Sequence, residues 1–307
     1  MIPILLNEPD GFPASAIERL QRIGPVHRSD AAYPAESIQV VFVRLRERIG
    51  AEFLRCHPAL RVVVSPTTGL NHLDTALLAE AGVEVISLKG RTAFLDHIHA
   101  TAEHTLALAL ALIRRLPAAH RDVLAGAWNR YPFQGSELYG KTVLLLGYGR
   151  IGRQVHALYS AFGCRMLACD VVENRVPPAL RCELSSALAQ ADLVSIHVNL
   201  EPGTHGLVDA AVLDQLRTSA VIVNTSRGEI VDQTALLERV ADGRLGGAAI
   251  DVLVDEPAPL TPAVRALIER CGPRLVVTPH ISGFTAESLT TVEQHVTDLL
   301  LEAAERL

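Results

Sequence analysis

The chain is poor in aromatic side chains: Phe, Tyr and Trp make up 4% of its 307 residues, with a single Trp. Any core must therefore be built from Val, Leu, Ile and Ala, the composition of buried parallel strands covered by helices. It also lacks patterned cysteine. Its five (Cys56, Cys164, Cys169, Cys182 and Cys271) are odd in number, scattered, and never spaced as CxxC, which argues against a disulfide framework or a zinc site. Reduced thiols in a cytoplasmic protein, and no metal, are expected. No apolar run suits a membrane: the longest, Leu106 to Ile113, falls well short of the roughly 18 residues a span requires. The opening Ile2 to Leu6 is too short for a secretion signal, follows no cation and runs straight into Asn7, Glu8, Pro9 and Asp10, so it reads as a first strand. A basic stripe is missing too. The net charge is −6, with Lys and Arg dispersed, which removes nucleic acid from the expected partners.

What is present is a 49% apolar chain, enough to fill two cores at the usual domain size. Apolar β-branched runs near 2–6, 38–43, 61–65 and 83–87 alternate with helical patterns such as 72–81. A long helix is expected from near His97 through Leu116. After Gly140 the rhythm restarts, with strands expected at 142–147, 165–170, 192–198, 220–225, 247–253 and 274–279. Alternation of this kind specifies an α/β fold, here two doubly wound parallel-sheet, Rossmann-like domains. A terminal helix from Thr285 to Leu307 has no following strand to join and is expected to return to the first domain.

The run from Val143 to Gly152 is an apolar strand, then Gly147-Tyr148-Gly149-Arg150-Ile151-Gly152, then a helix start. In that order the first glycine permits a tight turn, the second lets backbone approach a pyrophosphate, and the third allows close helix packing. The next strand ends in Asp170, eighteen positions after Gly152, where a carboxylate can bond a ribose 2′-hydroxyl. Asp170 would repel a 2′-phosphate, and Arg175 is the nearby cation that could receive one, so NAD is expected rather than NADP.

Three later strand ends carry polar residues: Arg227 in Asn224-Thr225-Ser226-Arg227-Gly228, Glu256 after Asp251-Val252-Leu253, and His280 after Val277-Thr278-Pro279. Ligands bind at the carboxyl ends of strands in such sheets. An imidazole titrates near neutrality, a carboxylate beside it favours the imidazolium, and a guanidinium fits a carboxylate bidentately. Together they suit reduction of a 2-oxo acid.

With these motifs the chain resembles the D-isomer-specific 2-hydroxyacid dehydrogenase family, specifically its phosphoglycerate-dehydrogenase-like group. The resemblance runs through Thr68-Gly69, Leu73-Asp74, Ala102 to Thr105, the glycine turn with Asp170, His197 to Leu200, Asn224 to Asp232, Asp251 to Pro257, and His280 to Gly283. It implies His280 as general acid/base, Glu256 as its partner and Arg227 as substrate anchor. Asp251 would hold the nicotinamide carboxamide and Arg150 with Ile151 the pyrophosphate, while Thr68, His197, Val198, Thr225, Ser226, Arg227, His280 and Gly283 would line the rest of the cofactor. The backbone around Thr67, Thr68 and Gly69 would receive the substrate carboxylate. The resemblance further implies a flavodoxin-like substrate domain made of residues 1–98 and 283–307, an NAD-binding Rossmann domain over 99–282, and a homodimer formed through the helix starting near His97.

Two departures bear on substrate: Asn71 replaces a common Asp, and the stretch from Lys89 to His99 is longer than usual for the family. Arg91, Phe94 and His97, with Arg44 and Arg46, are candidate pocket residues. Nothing after Leu307 suggests a regulatory domain, so feedback control of the serine type is not expected. The rival readings are a non-enzymatic NAD sensor, which has no need of Arg227, Glu256 and His280 together, and a dehydrogenase of phosphite or formate. Glu256 disfavours formate, because similar formate enzymes carry Gln there.

Overall fold

A computed structural model describes residues 1–304. The chain divides into two compact units, Ile98–Gly283 and a unit combining Met1–His97 with the chain from Phe284 onward.

In the first unit the elements run β1 (Ile4–Leu6), α1 (Ala14–Leu20), β2 (Val26–Arg28), β3 (Val40–Phe42), α2 (Ala51–Cys56), β4 (Val62–Ser65), α3 (Thr75–Glu80), β5 (Glu84–Ser87) and α4 (Thr92–Leu95). All pairings are parallel, in the order β2-β1-β3-β4-β5, which is the flavodoxin-like order. β1, β3 and β4 are buried along their whole length, as central strands covered on both faces must be. β2 escapes the pattern-based reading for a physical reason: Val26-His27-Arg28 is a half-exposed edge strand with no apolar run to reveal it.

The second unit holds α5 (Ala100–Ile113), α6 (Leu116–Leu124), β6 (Thr142–Leu146), α7 (Arg150–Ala161), β7 (Arg165–Cys169), α8 (Leu184–Leu188), β8 (Leu193–Ile196), α9 (Ala210–Leu213), β9 (Val221–Asn224), α10 (Gln233–Ala241), β10 (Gly247–Ile250), α11 (Pro262–Cys271) and β11 (Leu275–Val277). Its parallel sheet has the order β11-β10-β9-β8-β6-β7. Side chains alternate across it: Leu144 and Leu146 of β6 enter one apolar cluster, Val143 and Leu145 the other, the period of two that a strand imposes. The strand order reverses between β6 and β8, and such a switch point is where doubly wound sheets leave a crevice for a ligand. The single long helix expected through Leu116 is two helices. α5 stops at Ile113, Arg115 takes the left-handed φ of 53°, and α6 restarts with Pro117 in its first turn, where the missing N–H costs nothing.

The last helix, α12 (Ala286–Ala304), belongs to the first unit and packs on α1, β4 and β5. The sequence reading carries it to Leu307, and residues 305–307 lie outside the described residues. Val296 and Leu300 are fully buried beneath it, Arg19 pairs with Asp298, and Gln294 donates to Ser15 Oγ at 3.1 Å.

Candidate active site

At the switch point, Gly147 follows β6 with a φ of 95°, and a Cβ there would lie 2.6 Å from the His197 carbonyl oxygen. Only glycine tolerates both the conformation and the approach. A Cβ on Gly152 would meet the Gly147 carbonyl oxygen at 2.3 Å, so α7 is pressed onto the turn. Around Gly149, by contrast, a Cβ would have nothing within 4 Å. Gly149 also begins α7, and no side chain caps that end, so its N–H groups can receive an anion. Asp170 stands beside the turn, its carboxylate accepting from the N–H of Tyr148 at 2.7 Å and of Val172 at 2.8 Å. Arg175 is 3.9 Å from it. Two contacted glycines, one open one and a fixed acid fit a dinucleotide.

His197 and Val198 lie directly under this turn. His197 donates its N–H to the Leu146 carbonyl at 2.7 Å, and its Nε2 is 2.7 Å from Ser195 Oγ. Burial pushes its imidazole down to about 3, so it is neutral near neutral pH. The Val198 carbonyl accepts from Ser226 Oγ at 2.9 Å. Thr225 points inward, its hydroxyl 2.8 Å from that of Thr105 on α5. Arg150 reaches the Ile98 carbonyl at 3.2 Å, and Ile151 is half-buried in the first turn of α7.

Arg227 leaves β9 in extended conformation. The turn is locked by Asn224, whose Nδ2 donates to the Arg227 carbonyl at 2.9 Å while its Oδ1 accepts from the Ser226 N–H at 3.0 Å. Burial lowers the Arg227 guanidinium from its ordinary value, and the charges of Glu256 and Glu229 oppose that shift. The sheet brings Glu256 and His280 into direct contact: His280 Nδ1 is 2.6 Å from Glu256 Oε1, with side chains 20% and 28% exposed. Both groups are thus shielded yet reachable.

His280 has a φ of 53°, unusual for a residue with a Cβ. Asp251 holds it there. The Asp251 carbonyl accepts the His280 N–H at 2.8 Å, its Oδ1 accepts from Thr278 Oγ1 at 2.5 Å and from the Ile281 N–H at 2.9 Å, and its Oδ2 accepts from the Ser282 N–H at 2.8 Å. Burial raises the Asp251 carboxyl, but bonds from His104, Thr278, Ile281 and Ser282 outweigh it and leave the group below its ordinary value. Gly283 follows, with Thr101 Oγ1 4.0 Å from where its Cβ would be. Among the described residues, no group of three or more His, Cys, Asp or Glu is gathered as a metal site.

Thr67, Thr68 and Gly69 belong to the first unit, just beyond β4. Thr67 Oγ1 donates to the Gly69 carbonyl at 2.8 Å and lies 2.9 Å from Ser65 Oγ. Of the candidate pocket residues, Arg44 is turned inward: it is buried against Glu293 on α12 and donates to the Asp10 carbonyl at 2.8 Å. Phe94 stacks on His295 at 3.8 Å.

Residues 106–282 match the family model described as D-isomer specific 2-hydroxyacid dehydrogenase, NAD binding domain. The chain belongs to this 2-hydroxyacid dehydrogenase family. It is 36% identical over 252 residues to a D-3-phosphoglycerate dehydrogenase of Mycobacterium bovis, covering 81% of this chain and 46% of that one. It is 32% identical over 253 residues to a glyoxylate reductase of Thermofilum pendens, covering 80% and 72%. Among solved structures, the TT0316 protein from Thermus thermophilus aligns with a TM-score of 0.81 at 30% identity, covering 99% and 97%. The chain spans about half the length of the D-3-phosphoglycerate dehydrogenases it matches.

In this member of the family, His104 takes a positioning role that the sequence alone does not suggest. His104 Nε2 is 3.1 Å from Thr278 Oγ1 and 3.5 Å from Asp251 Oδ1, tying α5 to the His280 loop. The motif Ala102 to Thr105 was legible in the sequence. Its partners were not, because they lie 174 and 120 positions away.

Proposed function

We propose that the protein is an NAD-dependent dehydrogenase of a small D-2-hydroxy/2-oxo acid, with His280 as general acid/base. The 2.6 Å contact between His280 Nδ1 and Glu256 Oε1 carries this reading. With Nδ1–H given to the carboxylate, Nε2 is the atom left to exchange a proton with substrate. NAD supplies or accepts the hydride at C2. In reduction Nε2 delivers its proton to the carbonyl oxygen, and in oxidation it takes one from the hydroxyl. Arg227 anchors the substrate carboxylate, and its burial keeps that attraction strong.

Asp170 receives the ribose hydroxyls and repels a 2′-phosphate. The open flank of Gly149 and the start of α7, at Arg150 and Ile151, receive the pyrophosphate, between Gly147 and Gly152. His197, Val198, Thr225, Ser226 and Gly283 line the remainder, and Asp251 serves the nicotinamide end chiefly by fixing the His280 loop. In this reading 1–98 and 283–307 form the substrate domain, with the backbone of Thr67, Thr68 and Gly69 taking the carboxylate, and 99–282 the NAD-binding domain. The relatives' names, glyoxylate reductase and D-3-phosphoglycerate dehydrogenase, support a short 2-oxo or 2-hydroxy acid.

The same reading places the protein in the cytoplasm, where five free cysteines suit a reducing compartment, and no helix among the described residues is long and apolar enough to cross a membrane. It also makes the protein a homodimer, with the contact placed not on the helix that starts near His97, since α5 buries Ala102, Thr105, Leu108, Ala109 and Leu112, but on α6 after it. α6 buries none of its residues, and Leu124, Trp128 and Tyr131 on and after it are 74%, 91% and 80% exposed, a run of apolar surface suited to a second copy. The test is NADH oxidation with glyoxylate, pyruvate and hydroxypyruvate. Turnover of at least one is expected. Tight NADH binding with turnover of none would favour a sensor and overturn the reading.

A further inference from the structure

Cys169 ends β7, and Cys182 follows Arg181, whose backbone bridges Ala168 on that strand. The two cysteines are 13 positions apart in sequence and their sulfurs 3.4 Å apart in space. Each thiol also reaches across to the other segment's backbone, Cys169 Sγ donating to the Cys182 carbonyl at 3.3 Å and Cys182 Sγ to the Ala168 carbonyl at 3.5 Å. Both are half-buried. Cys164 and Cys271 instead point at the Leu138 and Leu237 carbonyls, and Cys56 is exposed. The segment between the paired thiols carries Asp170, whose carboxylate bonds the Tyr148 and Val172 N–H groups. The pair therefore brackets the loop that bears the ribose-facing acid.

We propose that Cys169 and Cys182 are a dithiol modification site that takes a small-molecule disulfide and closes to an internal disulfide across the base of the Asp170 loop. The Cys182 thiolate attacks one sulfur of the reagent and releases the first thiolate, which takes up the proton Cys182 lost. The Cys169 thiolate then attacks Cys182 Sγ, displacing the second, which takes the proton of Cys169. Two protein thiols are oxidised to one disulfide and one reagent disulfide is reduced to two thiols. Cys169 is the resolving residue because burial, then its bond to Cys182, pushes its thiol up to about 12. Closure should accordingly quicken in mildly alkaline solution. The backbone bridge already fixes the two segments side by side, so the sulfurs need to move only from 3.4 Å to the roughly 2.05 Å of a disulfide. A ring closed in native geometry restricts the unfolded chain and stabilises the fold. None of this depends on which reaction the enzyme performs.

The experiment treats the full chain, carrying Cys56→Ser to prevent cross-linking between molecules, with oxidised glutathione. Expected are a loss of two hydrogens in intact mass, a non-reduced peptide joining Cys169 to Cys182, and a thermal midpoint raised by about 5 °C or more, all reversed by a reductant. Cys169→Ser and Cys182→Ser should each abolish all three. A lasting glutathione adduct without the joined peptide, a joined peptide through any other cysteine, or an unchanged or lowered midpoint after closure would overturn the proposal. The mass and peptide readouts use a chain retaining both thiols, so they stand even where a serine variant fails to fold.

Discussion

A Cβ on Gly228 would lie 2.2 Å from the carbonyl carbon of Leu253. The turn that carries Arg227 therefore sits directly on the segment leading to Glu256, with no room for a methyl group between them. Gly228→Ala should cost about 1–3 kcal/mol of stability, as overpacking does, and should lower keto-acid reduction more than Ala substitutions at exposed loop positions. Urea unfolding alongside steady-state kinetics checks this, and a variant with native stability and rate would show that the two turns move apart freely.

Removing the imidazole of His280 should lower turnover by about 10² to 10⁴, the range for a lost general acid, with NADH affinity nearly unchanged. Glu256→Gln keeps a hydrogen-bonding partner for Nδ1 without the charge and should be milder. Arg227→Ala should raise KM for the keto acid as well as lower kcat, because anchoring precedes and accompanies hydride transfer. If His280→Ala reduced its best substrate at a near-normal rate, the proton donor would have to be another group.

Asp170 is held by two backbone N–H groups and is 6% exposed at its side chain, so it cannot swing away from a 2′-phosphate. NADH should surpass NADPH by at least about tenfold in catalytic efficiency, which corresponds to roughly 1.4 kcal/mol. Asp170→Ser should narrow the gap. Equal use of both cofactors by the unmodified enzyme would contradict the assignment of this carboxylate.

His197 gives the second unit an acid sensitivity of predictable sign. Its folded value, pushed down by burial to about 3, lies below the roughly 6.5 of an unfolded chain. Between those limits the unfolded state binds the extra proton, so stability from this residue is complete above about pH 6.5 and declines as the pH falls toward about 3. His197→Gln does not titrate there and should show a flatter dependence of urea midpoint on pH. Parallel profiles for the two proteins would remove His197 from the account.

The parts of the molecule that were legible in the sequence share a property: their signal is local. β6 is an unbroken apolar run and Gly147, Gly149 and Gly152 follow at fixed spacing, so strand, turn and helix could be read in one pass. Arg227, Glu256 and His280 each stand where an apolar strand ends, which placed them at one edge of the sheet. The illegible parts depend on distant partners or on weak local preference. The hold on Asp251 was not legible, because its partners are Thr278, Ile281 and Ser282, 27 to 31 positions later, and His104 on α5. The inward turn of Arg44 requires Glu293, 249 positions away. The break at Arg115 turns on a single left-handed residue inside an otherwise helical pattern.

Because α12 supplies Val292, Val296, Leu300 and Glu293 to the core of the first unit, that unit is complete only once α12 has left the ribosome. Ile98–Gly283 is continuous in sequence and has no such wait. The order of synthesis is thus inverted in the order of folding: Met1–His97 is made before Ile98–Gly283 and completed after it, and until α12 emerges the second unit can fold while the amino-terminal sheet still lacks a helix. Proteolysis of ribosome-stalled chains ending near Gly283 should find the second unit resistant while Met1–His97 is still cleaved.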